Sequence, residues 1–372
     1  MRVLNLFSDC NTGGIEVLYK SIIKSNEIDN RICCLFGEGI LYNEIKKYNS
    51  NKIFSLKKFN KDLDEIVNEI VKYCKKEKID IIVVHHEGIR CNLVYIKLHK
   101  KLKNVKFARY FHSSYDKYYL GDDKNLLKKI VAKYYLKKMI KYSDLLIFIS
   151  KFVESSFLNK FKINNEKCRV VYNGIGNEFY KDVNKFERKD KNKIAFVGRL
   201  TKVKGVDVLI DAFNIIKQKG IDSTLTIVGD GEEKNELIEK VSNYDLGNNV
   251  IFTGRQSNVI QYLDNADIFV YPSIWEEGFG ISVVEAMARG CIPITFNKGG
   301  LPEIIKNGKN GFIVNDVTAE SLADEILKVI NLNNKDEIRK NAIETAKEFS
   351  IDNTIENQKD IFKQLLDEKD IN

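Results

Sequence analysis

KIAFVGRLTKVKG, Lys193 to Gly205, decides the fold. Its first five residues read as a buried strand, Gly198 lets the backbone turn tightly, and a helix is expected just beyond Gly205. A strand that ends on a glycine turn and feeds a helix is the repeating unit of a parallel α/β sheet. That unit also occurs near the N-terminus, so 193–205 marks a second start. Immediately upstream lies NEFYKDVNKFERKDKNK (177–193), polar and rich in Lys and Asp, the best linker candidate in the chain.

Downstream of this restart, candidate strands are STLTIVG (223–229), NVIFTG (249–254), DIFVYPS (267–273), CIPITF (291–296) and GFIV (311–314). Upstream they are RVLNLF (2–7), RICCLF (31–36), KIFSL (52–56), IDIIVVHH (79–86), VKFARYFH (105–112), DLLIFIS (144–150) and RVVYN (169–173). Helix-like segments fall near 14–25, 61–77, 91–101 and 123–142, and again between the later strands. The reading is α/β, with two Rossmann-like, doubly wound parallel-sheet domains at 1–176 and 193–350 joined by the linker 177–192. A polar helix within 351–372 has no strand after it and is expected to pack back on the first domain. A chain of 372 residues is long for a single core, which agrees with two.

Composition removes several classes. The apolar share, 44%, is that of a soluble globular protein, and no run approaches the ~18 apolar residues of a membrane span. The start, MRVLNLFSDCN, meets charge at Asp9 and reads as a first strand instead of a signal peptide. Seven scattered cysteines (Cys10, Cys33, Cys34, Cys74, Cys91, Cys168, Cys291) without any C-x-x-C spacing point to reduced thiols in a cytoplasmic protein, not disulfides or zinc. Charge is uneven. Residues 1–180 hold 34 Lys+Arg against 20 Asp+Glu, a balance of +14, and the remainder holds 26 against 32, a balance of −6. A basic first half suits nucleic acid, a membrane surface or a phosphorylated acceptor, or only lysines that solvate helix faces.

In an open parallel sheet, ligands bind beyond the carboxyl ends of the strands, so the residues just after each strand carry the functional expectation. Arg199 and Lys204 are two cations beside a helix start, where backbone N–H groups also favour anions: a diphosphate site. IVGDGEE (227–233) fits a strand-to-helix turn, and TGR (253–255) offers exposed backbone near Arg255. EEGFGISVVE (276–285) places Glu277 before a glycine-rich turn and Glu285 about one helical turn inside the helix that follows. Two carboxylates so placed could be the acid and base of a hydrolase. They could also be two clamps on the vicinal diols of one ligand, or a bland acidic helix start.

Several spaced motifs carry a resemblance. GRLTKVKG, IVGDGEE, EGFGISVVEAMARGCIPITF, GGLPEII and NGFIV, in that order, resemble the retaining family-four glycosyltransferases of GT-B fold, of the bacterial polysaccharide-biosynthesis type. The first half agrees more loosely, through Gly13-Gly14 with Glu16, FHSS with His112, SDLLIFIS, and VVYNGI. The resemblance implies a nucleotide-sugar donor, most commonly a UDP-sugar, bound mainly by the second domain. Glu285 would hold the ribose hydroxyls, and Glu277 the hexose hydroxyls together with the N–H groups of Phe279, Gly280 and Ile281. Arg199 and Lys204 would stabilise the departing diphosphate, and backbone near Arg255 would meet the base. Gly14 would admit the phosphates to the first loop, and His112 would touch the donor sugar. The implied catalytic set is Glu277, His112, Arg199 and Lys204, with no metal and no cofactor; the nucleotide-sugar is a co-substrate. The implied acceptor is a glycan or a lipid-diphosphate-linked glycan, the implied place the cytoplasm or the inner face of its membrane, and no nucleic-acid partner is expected. A sugar-nucleotide epimerase or a non-catalytic nucleotide-binding relative of the same fold are the alternatives.

Four other features bear on function. Asp62-Leu63-Asp64 matches the D-x-D of metal-dependent glycosyltransferases but falls on a polar helix face. His85-His86-Glu87 follows a strand and could contact the acceptor, or a metal if further ligands joined it. In the basic segment 122–144, Leu126, Leu127, Ile130, Val131 and Tyr134 fall on one side at helical spacing, as for a membrane surface or an ordinary surface helix. The first strand-to-helix turn, SDCNTGG, lacks G-x-G-x-x-G, which counts against a dinucleotide dehydrogenase.

Overall fold

A computed structural model describes residues 1–8, 14–25, 27–56, 62–85, 88–115, 125–181 and 192–367. The chain divides into two units, Met1–Gly174 with Ile351–Asn372, and Ile175–Ser350.

The first unit holds β1 (Arg2–Phe7), β2 (Asp29–Cys34), β3 (Ile53–Ser55), β4 (Ile81–Val84), β5 (Lys106–Phe111), β6 (Leu145–Phe148) and β7 (Cys168–Val170). They form one seven-stranded sheet in the order β3-β2-β1-β4-β5-β6-β7, with every pairing parallel. IIVV in β4 and LLIF in β6 are buried at every position, because helices cover both faces of such a sheet. Strand order reverses between β1 and β4. Helices Gly39–Tyr48 and Lys151–Leu158, which the sequence pattern did not single out, complete the helical layers.

The last helix, Ile351–Asp367, belongs to this unit although it ends the chain. Its Ile351 and Ile355 join Phe7, Leu18, Tyr19, Ile22 and Ile32 in one buried cluster. The Thr354 hydroxyl donates to the Tyr172 carbonyl at 3.0 Å, fixing where the helix returns.

The second unit holds β8 (Lys193–Val197), β9 (Thr224–Val228), β10 (Val250–Gly254), β11 (Ile268–Tyr271), β12 (Ile292–Phe296) and β13 (Phe312–Val314). The sheet order is β10-β9-β8-β11-β12-β13, again all parallel, with the reversal between β8 and β11. That reversal is the switch point where open α/β sheets bind ligands.

Of the segment read as a linker, Asn177–Tyr180 is a 3-10 turn held in the second unit; 182–191 lies outside the described residues. Buried Arg289 fixes this turn by pairing with Asp264 at 2.6 Å and donating to the Phe179 carbonyl at 3.1 Å. In helix Leu126–Tyr142 only the later part is anchored, through Leu136, Met139 and Ile140. Leu126 and Leu127 are 70% and 74% exposed, so the apolar stripe of that helix faces outward and does not cover the sheet.

Candidate active site

In the second unit, the loops after β8 and β9 are tied together first. Gly198 N–H donates to the Val228 carbonyl and Leu200 N–H to the Asp230 carbonyl, each at 3.0 Å, and Glu233 N–H returns to the Leu200 carbonyl at 3.0 Å. The backbones meet so closely that a Cβ on Gly229 would lie 1.8 Å from the Gly198 oxygen. Glycine is required there by contact as well as by its φ of +150°. Asp230 accepts from Gly231 N–H at 2.9 Å and pairs with Lys234 at 2.8 Å, so the Gly-Asp-Gly acid is structural.

This frame aims the cations. Arg199 is exposed just after β8 and makes no ion pair among the described residues. Lys204 closes a short 3-10 turn, Lys202–Lys204, one residue before Gly205 caps helix Val206–Gln218. Its ammonium donates to Glu277 Oε1 at 2.7 Å and to the Tyr271 hydroxyl, and lies over the Tyr271 ring at 4.9 Å. Ser273 Oγ donates to the same Glu277 oxygen at 2.6 Å. Both ends of the Lys204–Glu277 pair are largely buried, with side-chain exposures of 16% and 11%. Removing one partner of such a pair strands the other charge, at a cost of about 3–5 kcal/mol.

The loop that presents Glu277 is held from behind. Gly300 N–H donates to the Glu277 carbonyl at 2.7 Å. Gly299, at φ +57°, brings its backbone so near that a Cβ there would sit 2.1 Å from the Glu277 oxygen. Glu276 accepts from Gly299 N–H at 2.5 Å, so it serves the loop. Gly280, at φ +118°, starts helix Ile281–Ala288, whose first N–H groups have no intrahelical partner. Phe279 is buried and meets Phe349 edge-on at 5.3 Å, so its side chain serves packing.

Glu285 is the fifth residue of that helix. It keeps some exposure, yet protein packs closely around its carboxyl. Burial, and secondarily the Glu178 carboxylate on the tethered 3-10 turn, push its pKa up to about 8. Its carboxyl makes no hydrogen bond among the described residues. Tyr271, at the end of β11, joins these groups. Burial first, then the charge and hydrogen bond of Glu277, raise its hydroxyl well above the usual phenol range; Arg199 opposes this and Glu285 adds to it. Lys204 and Glu277 therefore meet at one phenol near the switch point of the sheet, and the charges of Arg199 and Glu285 reach it. Neither Tyr271 nor Ser273 was expected from the sequence. Their position at and just beyond the end of β11 was the available signal. Arg255 is exposed on the turn after β10.

In the first unit, Gly14 opens helix Gly14–Lys24, while Gly13 and residues 9–12 lie outside the described residues. His112 follows β5 with its Nε2 3.0 Å from His85 Nδ1. His85 is not on a surface, as an acceptor contact would need; it is turned inward and 1% exposed, and His86 and Glu87 lie outside the described residues. Asp62 caps helix Leu63–Glu77 by accepting from Asp64 N–H, and Asp64 pairs with Lys97 at 2.8 Å. The D-x-D thus has local structural partners.

The comparisons with known proteins give the family. Residues 13–179 match the family model of glycosyltransferase family 4, and residues 178–349 that of glycosyl transferases group 1. An uncharacterised glycosyltransferase of Methanocaldococcus jannaschii is 30% identical over 72% of this chain and 70% of that protein. The chain belongs to the group 1/family 4 glycosyltransferases. The capsular polysaccharide biosynthesis glycosyltransferase CapM of Staphylococcus aureus is 33% identical over 46% of this glycosyltransferase and 42% of CapM. Among solved structures, HepE of Anabaena in complex with UDP superposes with a TM-score of 0.79 at 22% identity, covering 98% of this chain and all of HepE (100%). The two units of this glycosyltransferase therefore have the GT-B fold.

Proposed function

We propose that this glycosyltransferase moves a sugar from a UDP-sugar, with retained anomeric configuration, to a glycan or lipid-diphosphate-linked acceptor in cell-surface polysaccharide synthesis. The observation that carries the donor reading is the buried Lys204–Glu277 pair on Tyr271 near the β8/β11 switch point, within reach of the charges of Arg199 and Glu285. A nucleotide-sugar has two diols separated by a diphosphate, which asks for two carboxylates flanking cations. Glu277 takes the hexose hydroxyls, with the N–H groups of Phe279, Gly280 and Ile281 beside it. Glu285 takes the ribose hydroxyls, and backbone near Arg255 takes the base. Arg199 and Lys204 face the diphosphate. As the bond from the anomeric carbon to the diphosphate oxygen breaks, negative charge grows on that oxygen and the two cations stabilise it. They do so without a metal. Gly14 and His112, both in the first unit, keep the roles that the family resemblance implies, His112 that of touching the donor sugar.

The transfer reading is favoured over hydrolysis because glycoside cleavage leaves Arg199 and Lys204, two cations beside one site, without a role. UDP in HepE, and capsule synthesis in CapM, support the UDP donor and the polysaccharide acceptor. The exposed Leu126, Leu127, Ile130 and Tyr134, flanked by lysines of the same helix, support contact with an anionic membrane surface that carries the acceptor. No helix among the described residues is long and apolar enough to cross a membrane. The test is transfer and thermal stabilisation with UDP-, GDP- and ADP-sugars. Lys204→Ala and Glu285→Ala should each abolish transfer; wild-type turnover in both variants would sink the assignment.

A further inference from the structure

A file of polar side chains, buried in its first three members and half-buried at the fourth, crosses the first sheet on four adjacent strands. Asn30 stands on β2, Asn5 on β1, His85 just after β4 and His112 just after β5. Asn5 is fully buried and its Nδ2 donates to Asn30 Oδ1 at 3.0 Å and to the Arg31 carbonyl at 3.3 Å. A backbone carbonyl can only accept, so the Asn5 amide has one orientation: nitrogen toward β2, oxygen toward β4. That oxygen lies 3.0 Å from His85 Nε2, which must therefore carry a proton.

His85 is packed against Phe7, stacked at 4.6 Å, and Tyr19, edge-on at 4.4 Å. Burying an imidazolium among such rings costs more than burying the neutral ring. A neutral ring protonated at Nε2 keeps its lone pair on Nδ1, and Nδ1 is the atom 3.0 Å from His112 Nε2. His112 Nε2 must then donate. Its ring is also stacked flat on Tyr110, centroids 4.7 Å apart and planes 5° apart.

We infer that His85 is a positioning residue for His112: the Asn30–Asn5–His85 relay holds the proton of His112 on Nε2 and locks the ring plane. When neutral, His112 then has Nδ1 as its only acceptor. If, as proposed above, His112 meets the donor sugar, the relay sets which hydrogen-bonding role the ring plays toward a sugar hydroxyl. The placement is at the β1/β4 reversal of the first sheet, the counterpart of the β8/β11 reversal in the second.

The test is nitrogen NMR of the histidine-labelled full chain, which has four histidines. Imidazole nitrogen shifts distinguish the two tautomers, and substitution of His112 assigns its signal. The expected result is Nε2–H on both His85 and His112 at neutral pH. Nδ1–H on His112, or a doubly protonated His85, would overturn the inference whether or not any donor is turned over. His85→Gln keeps one donor and one acceptor and should preserve the His112 signal and most of the transfer rate. His85→Phe keeps the aromatic packing but ends the relay. It should give mixed His112 tautomers and a kcat lower by about 100-fold, with donor KM little changed. Unchanged kcat and an unchanged His112 signal in folded His85→Phe would also refute it. Absence of transfer by the wild type, with the expected tautomers, would instead refute the proposed function and leave the relay standing.

Discussion

Glu285 makes donor binding depend on pH in a direction that can be worked out. Its carboxyl is held near pKa 8 in the free protein, against 4.5 for an ordinary glutamate, by burial and by Glu178. A raised carboxyl contributes its stability below pH ~4.5 and loses it as pH climbs toward ~8, so the neutral form dominates the free site at neutrality. Vicinal hydroxyls bind best to the carboxylate, which accepts both protons. Donor binding should therefore expel a proton. With a pKa of 8, about 1% of the free protein is ionised at pH 6 and about half at pH 8. If the complex holds Glu285 ionised throughout, affinity rises about 50-fold across that span, or about 2.3 kcal/mol. Calorimetry with a UDP-sugar, whose diphosphate diester does not titrate in this range, reads both quantities. The affinity should climb from pH 6 to 8, and buffers of different ionisation enthalpy should report nearly one proton released per donor at pH 6. Glu285→Gln should bind more weakly at pH 8, with a nearly flat profile and no proton release. A flat wild-type profile, or the same slope in Glu285→Gln, would refute the placement of Glu285 on the ribose.

Three further outcomes are expected. Gly299→Ala forces a Cβ into the Glu277 carbonyl at 2.1 Å and strains a φ of +57°, so it should lose roughly 1–3 kcal/mol in denaturant melts and slow transfer; wild-type behaviour would mean the loop does not position Glu277. Asp62→Ala removes a helix cap and should cost about 1 kcal/mol without altering transfer, and loss of transfer that added manganese restores would instead make Asp62-Leu63-Asp64 a metal site. Leu126→Ser with Leu127→Ser should weaken co-sedimentation with anionic vesicles while leaving stability unchanged, since both side chains are exposed; unaltered sedimentation would remove this helix from membrane contact.

Much of the fold was legible because parallel strands buried on both faces are short continuous apolar runs. IIVV, LLIF and IFVY each stand at the expected place. Helix Gly39–Tyr48 was harder to read, since GILYNEIKKY mixes lysines into a short apolar period. The outward apolar stripe of Leu126–Tyr142 shows the limit of periodicity, which finds a face but not what it faces. In the site, Arg199, Lys204, Glu277 and Glu285 were readable from charge beside glycine turns. Tyr271 and Ser273 were not, because a strand-end tyrosine and serine look alike whether they line a site or only fill a core.

The sequence by itself determined the alternation of strand and helix, the second start at Lys193, and the residues at strand ends, since each depends on local propensity and spacing. Tertiary structure decided the rest. Strand order put β8 beside β11, and so Lys204, 73 residues from Glu277, within 2.7 Å of it. It also put Asn5, 80 residues from His85, within 3.0 Å. It packed protein around the Glu285 carboxyl within reach of the Glu178 charge, and returned helix Ile351–Asp367 to the first unit. These are meetings between distant segments, and the pKa and hydrogen-bonding role of each group depend on what it meets.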